Sequence, residues 1–199
     1  MDVLASLNYY EVFGVVTALL CVWLYTRQNV WSWPLTIVSA GLYMIVFFQA
    51  RLYADVGLQG VYILVAIYGW YEWLYGGPQH SVLAVSRLTR TTALVLLALV
   101  VGGTAVLAFP LAAYTNASLP FWDSLTTVMS LVAQWMLAKK ILESWLVWIV
   151  ADTIYVGIFL YKALYLTAGL YVVFLGLAVL GFIEWRKTMR GEGGMANAQ

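Results

Sequence analysis

Apolar stretches separated by short polar breaks run the length of the chain, at about 10–26, 32–50, 57–75, 92–113, 122–138, 145–161 and 166–185. Crossing the hydrocarbon core of a bilayer as an α-helix takes about 20 residues, so the pattern predicts an all-α integral membrane protein with seven transmembrane helices. The basic residues are lopsided about these spans. Arg27, Arg87, Arg90, Lys139, Lys140, Arg186, Lys187 and Arg190 fall on one side, and Arg51 and Lys162 on the other. The positive-inside rule then sets the amino terminus outside and the carboxyl terminus in the cytoplasm. Asp2 and Glu11, rather than a basic segment, precede the first stretch, which reads as a retained span.

The 199 residues are 64% hydrophobic and 10% charged, against about a quarter charged for a soluble domain. A net charge of +1 gives no reason to invoke nucleic acid, and Cys21, the single cysteine, cannot form an intrachain disulfide. Neither fact points to any particular chemistry.

An internal repeat says more. Shifting the chain by 112 residues aligns 11–73 with 123–185 without a gap, and 18 of the 63 pairs are identical. Trp23 meets Trp135, Ser32-Trp33 meets Ser144-Trp145, Tyr43 meets Tyr155, and Gly69, Glu72 and Trp73 meet Gly181, Glu184 and Trp185. Glycines in such helices permit close approach of neighbours. Three spans per repeat would invert the second copy, and the span near 92–113 restores its direction. The expected plan is two parallel three-helix repeats joined by a linker helix: 9–75, a cytoplasmic loop and linker at 76–113, 121–186, and a cytoplasmic tail at 187–199 whose polar, glycine-containing end, GEGGMANAQ (191–199), is expected to be disordered. Parallel repeats are a transporter layout.

A substrate is not two-fold symmetric, so residues polar in one repeat alone are the better site candidates. Trp145, Trp148 and Asp152 share one helix face, yet Trp148 and Asp152 correspond to Thr36 and Ala40. In the fifth span Asp123, Thr127, Ser130 and Gln134 form a polar stripe against Glu11, Val15, Ala18 and Val22. Asp152 is about 10 Å along its helix from Trp145, near the midplane. An ionised Asp there costs about 2.5–3.5 kcal/mol and needs a partner or a wet cavity. No basic residue lies at that depth, so the partner could be the ligand, a flat cationic aromatic held against indole faces. Alternatively, Asp152 bonds a neighbouring hydroxyl and the tryptophans are packing. Gln49 and Gln59 bracket the loop between spans two and three, and Ser39, Thr36 and Tyr43 share a face of span two.

The stretches WLVWIVAD, FFQARLY, IYGWYEW and FWDSLTTVMSLVAQWMLAKK resemble, in order, the Pnu family of bacterial vitamin transporters, typified by PnuC nicotinamide riboside transporters. The resemblance runs from about residue 9 to 188. It implies a SWEET-like three-one-three layout, a homotrimer in the bacterial inner (plasma) membrane, and facilitated diffusion of a vitamin with alternating access. The family's sixth-helix signature carries over to Trp145, Trp148 and Asp152, and its glutamines to Gln49 and Gln59. With Ser39, Thr127, Ser130, Gln134 and Tyr155 these form the candidate substrate-binding set. The riboside transporters carry Asn where this chain has Asp152, and an amide at Ser39. Relatives with Asp include thiamine transporters, so thiamine is the alternative to nicotinamide riboside.

Other classes fit less well. Helix count alone also fits a heptahelical receptor or sensor, but a retinal protein needs a lysine in the last span, and there is none. His80 is the sole histidine, and neither HExxH nor GxxxxGK[ST] occurs. No enzyme, metal or cofactor is expected, and a lone acid without relay partners points to a uniporter.

Overall fold

The computed structural model describes residues 9–49, 51, 53–114 and 118–196. Among them are seven α-helices: α1 (Tyr9–Thr26), α2 (Ser32–Gln49), α3 (Tyr53–Tyr75), α4 (Arg90–Tyr114), α5 (Pro120–Ala138), α6 (Ser144–Tyr161) and α7 (Tyr165–Ala196). By length and composition, α2, α4, α6 and residues 165–191 of α7 can each cross a bilayer, and α1 contributes a shorter apolar run, Phe13–Thr26. α5 is more polar, but its Ser124, Thr126, Ser130 and Gln134 are buried where α4 and α6 pack against it. Lipid need not solvate them.

Two helix ends differ from expectation. α3 begins at Tyr53 rather than near 57. Asp55 and Gly57 read as loop, but a helix entering the membrane interface tolerates both in its first turns. Gln59 therefore lies inside α3 and does not border the loop. α7 runs on to Ala196, where the sequence suggested a disordered tail from 191. Arg186, Lys187, Met189 and Arg190 are good helix formers, and Lys187 Nζ lies 3.1 Å from Glu184 Oε1, one turn back.

The chain divides into two compact units, one ending at Ala84 and the other beginning at Val85. In the first, α1 packs on α2 and α2 on α3; in the second, α4 packs on α5, α5 on α6 and α6 on α7. α4, which the sequence reads as a linker, thus groups with the carboxyl-terminal unit. Ahead of α4, the Ser86 N–H donates to the Lys140 carbonyl and the Leu142 N–H to that of Ser86, each at 2.9 Å. Glu143 holds the same strip by accepting the Leu88 N–H at 2.8 Å, with Arg87 3.8 Å away.

Equivalent details recur in each unit. Trp33 meets Trp73, and Trp145 meets Trp185, both with ring centroids 5.4 Å apart and planes at 90°. Gly69 lies under Trp33 and Gly181 under Trp145, so close that an added Cβ would stand 2.4–2.6 Å and 2.5–2.6 Å from the indoles. Tyr43 stacks on Phe47, and Tyr155 on Phe159. The turns match too. Gln28 and Lys140 are left-handed, as are Arg51 and Ala163, and the members of each pair are 112 residues apart.

After α1, the N–H groups of Gln28 and Asn29 donate to the carbonyls of Tyr25 and Leu24. After α5, those of Lys140 and Ile141 donate to Leu137 and Met136. These are Schellman caps, in which glycine is the usual left-handed residue. Ala163 ends α6 the same way, through Ala163 N–H to Leu160 O and Leu164 N–H to Phe159 O. Its φ of 55° costs a side-chain-bearing residue about 1–2 kcal/mol. Ala163→Gly should therefore stabilise the protein by about 1 kcal/mol net of the added chain entropy. Thermal unfolding in detergent reads this as an upward shift of a few degrees, and an unchanged midpoint would contradict it.

Candidate functional site

Asp152, in the middle of α6, is 4% exposed, and among the described residues no hydrogen bond or ion pair reaches its carboxylate. Gln134 on α5 is 6% exposed, and no hydrogen bond to its amide occurs among the same residues. The hydroxyls of Ser130 and Tyr155 approach to 3.5 Å, which fixes the register of the antiparallel α5 and α6. Counting from that contact, Gln134 falls level with Ala151 and Asp152. An unpaired acid and an unpaired amide thus share one depth in the carboxyl-terminal unit, where leaving a polar group unsatisfied without a ligand or water costs about 2–7 kcal/mol.

Around it, Tyr155 packs on Tyr171 of α7 with centroids 4.6 Å apart, and Phe159 meets the same ring at 5.0 Å. Tyr171 was not singled out in the sequence. It is the repeat counterpart of Gln59, so the asymmetry test that found Asp152 would have found it. Trp148 is half-buried and retains indole surface for another group. Trp145 is 2% exposed, packed on Trp185 and seated on Gly181. Its buried Nε1 has no hydrogen-bond partner among the described residues, and neither has that of Trp33. An orphan present in both repeats belongs to the shared scaffold, and the structure gives Trp145 a packing role that Trp148 does not have.

Towards one end of the stripe, the Thr127 hydroxyl donates to the Asp123 carbonyl at 2.8 Å, and the Asp123 carboxylate accepts Lys162 Nζ at 3.5 Å. Thr127 is therefore engaged with its own helix. The remaining candidates lie in the amino-terminal unit. Ser39 is buried and donates to the Gly14 carbonyl of α1 at 3.3 Å, Gln49 is exposed at the last turn of α2, and Gln59 is half-buried within α3. Ser39 and Gln49 are about 15 Å apart along α2 and form no cluster.

Residues 8–187 match the family described as nicotinamide mononucleotide transporter. The chain belongs to this family. Among its similar relatives is the nicotinamide riboside transporter PnuC of Escherichia coli (strain K12), 28% identical over 96% of this chain and 90% of that protein. The riboflavin/roseoflavin transporter RibM of Streptomyces davaonensis is also 28% identical, over 88% of this chain and 83% of the relative. A solved structure described as the crystal structure of the vitamin B3 transporter PnuC superposes with a TM-score of 0.72 at 26% identity, covering 92% of this chain and 82% of that one. Family members of this kind are multi-pass membrane transporters and not enzymes.

Proposed function

We propose that the protein carries nicotinamide riboside across the bacterial inner membrane by facilitated diffusion with alternating access, and that Asp152 faces the ligand's positive charge. The unpartnered, buried carboxylate of Asp152 carries this reading, because a cation removes a desolvation cost that the protein leaves uncompensated. Gln134 offers an amide at the same depth to hydrogen-bond a carboxamide, and Trp148 and Tyr155 offer aromatic faces worth about 0.5–2 kcal/mol each to a flat cation. The relatives named for nicotinamide riboside and vitamin B3 support that substrate class. A relative named for riboflavin does not favour it, but riboflavin is uncharged and would leave Asp152 unpaired.

Thiamine is a second reading, since it is also a flat permanent cation whose aminopyrimidine can bond a carboxylate. The three-one-three repeat plan, the homotrimer and an outside amino terminus belong to this proposal. Matching turns and Trp–Gly contacts in each unit support the repeat, and the basic-residue bias supports the orientation. Titration calorimetry of the purified protein against nicotinamide riboside, thiamine and riboflavin tests the substrate. Saturable riboside binding with no heat from riboflavin is expected. Riboflavin binding alone would overturn the cation reading, and thiamine binding alone would reassign the vitamin.

A further inference from the structure

The carboxyl-terminal unit carries a second concave feature, outside the Asp152 region. A groove of about 420 Å³ runs between α4 and α5, its walls including Thr91, Thr92, Leu96, Leu99, Leu131 and Trp135. It is apolar over most of its length and polar only at the Thr91–Thr92 end. Contact of Gly103 with Val128 fixes the antiparallel register of α4 and α5, and counting back from it brings Lys139 level with Thr92. Arg90 precedes Thr91 and is exposed, and no ion pair to it occurs among the described residues. Arg87, by contrast, is already beside Glu143. An apolar trough thus has the exposed Arg90 next to its polar end, on the side of the bilayer that the basic residues mark as cytoplasmic.

We propose that this groove is a binding site for an anionic phospholipid, with an acyl chain along Leu96, Leu99 and Leu131, and the phosphate at Arg90. Charge complementarity selects this occupant. A zwitterionic lipid fits the trough but brings no net charge to the basic rim. Among the described side chains a second copy of the chain has little to offer that rim, because Asp123, Glu143 and Glu184 are in ion pairs, Glu72 is already engaged and Asp152 is buried. Basic residues at such a rim attract anionic headgroups, and Trp135 at the mouth suits the membrane interface.

Native mass spectrometry of the purified full-length protein, titrated with phosphatidylglycerol or phosphatidylcholine of identical acyl chains, tests this. Phosphatidylglycerol adducts should persist to higher collision energy than phosphatidylcholine adducts. Arg90→Gln should weaken phosphatidylglycerol binding about fivefold, and Leu99→Trp, at an exposed groove position, should weaken it by filling the trough. Equal retention of the two lipids, or phosphatidylglycerol binding unchanged in both variants, would overturn the proposal. So would loss of an oligomer in Leu99→Trp with lipid binding intact, which would assign the groove to a neighbouring copy.

Discussion

Asp152→Ala should abolish measurable binding of a cationic vitamin while making the empty protein more stable. Truncating one partner of a buried charge pair costs about 2–5 kcal/mol of affinity, or roughly 30-fold to several-thousand-fold. The opposite sign in stability follows from the empty state, where the carboxylate is buried with no bonding partner among the described residues. Removing it takes away a desolvation cost, so the unfolding midpoint in detergent should rise. The two signs together separate loss of a ligand contact from loss of fold. Asp152→Asn keeps the volume and a carbonyl acceptor, and should spare nicotinamide riboside more than thiamine, because an amide can still serve an amide-bearing ligand. Wild-type affinity in Asp152→Ala would sink the counter-ion assignment.

Gly181→Ala has the largest expected effect on stability. The new Cβ would stand 2.5–2.6 Å from the Trp145 indole, which is wedged against Trp185 and is 2% exposed. A rigid bicyclic ring in that position cannot swing clear, so α6 and α7 must separate. Overpacking of this kind costs about 1–3 kcal/mol, a fall of roughly 2–12 °C in unfolding midpoint for a chain of this size. Gly169→Ala on the same helix meets nothing within 4 Å and should be neutral or slightly stabilising, because alanine favours helix over glycine by about 1 kcal/mol. Equal midpoints for the two variants would remove the close-approach argument.

Helix number and order were legible because polar breaks separate seven largely apolar runs, of which α2, α4, α6 and residues 165–191 of α7 are long and apolar enough to cross a bilayer. The ends were less so. A few polar or small residues, as at 55–57, look the same in a loop and in the first turn of a helix, and only backbone bonding separates them. Asp152 and Gln134 were legible as candidates because comparing the repeats removes what they share. The contacts of Ser39 and Trp145 were not legible. Whether a hydroxyl or an indole faces a ligand or a neighbouring helix depends on that neighbour's position, and here Gly14 and Gly181 occupy it. Nor could the sequence mark Lys140 and Ala163 as left-handed, since glycine is the residue that announces such turns.

The paired turns also bear on how this protein could be re-engineered. Because Gln28 and Lys140, and Arg51 and Ala163, hold the same backbone with unrelated side chains, the duplicated framework constrains conformation at these corners far more than residue identity. A directed-evolution library aimed at a new cargo would therefore leave the tryptophan–glycine contacts fixed. It would concentrate diversity at 134, 148, 152 and 171, where the two copies have already drifted apart.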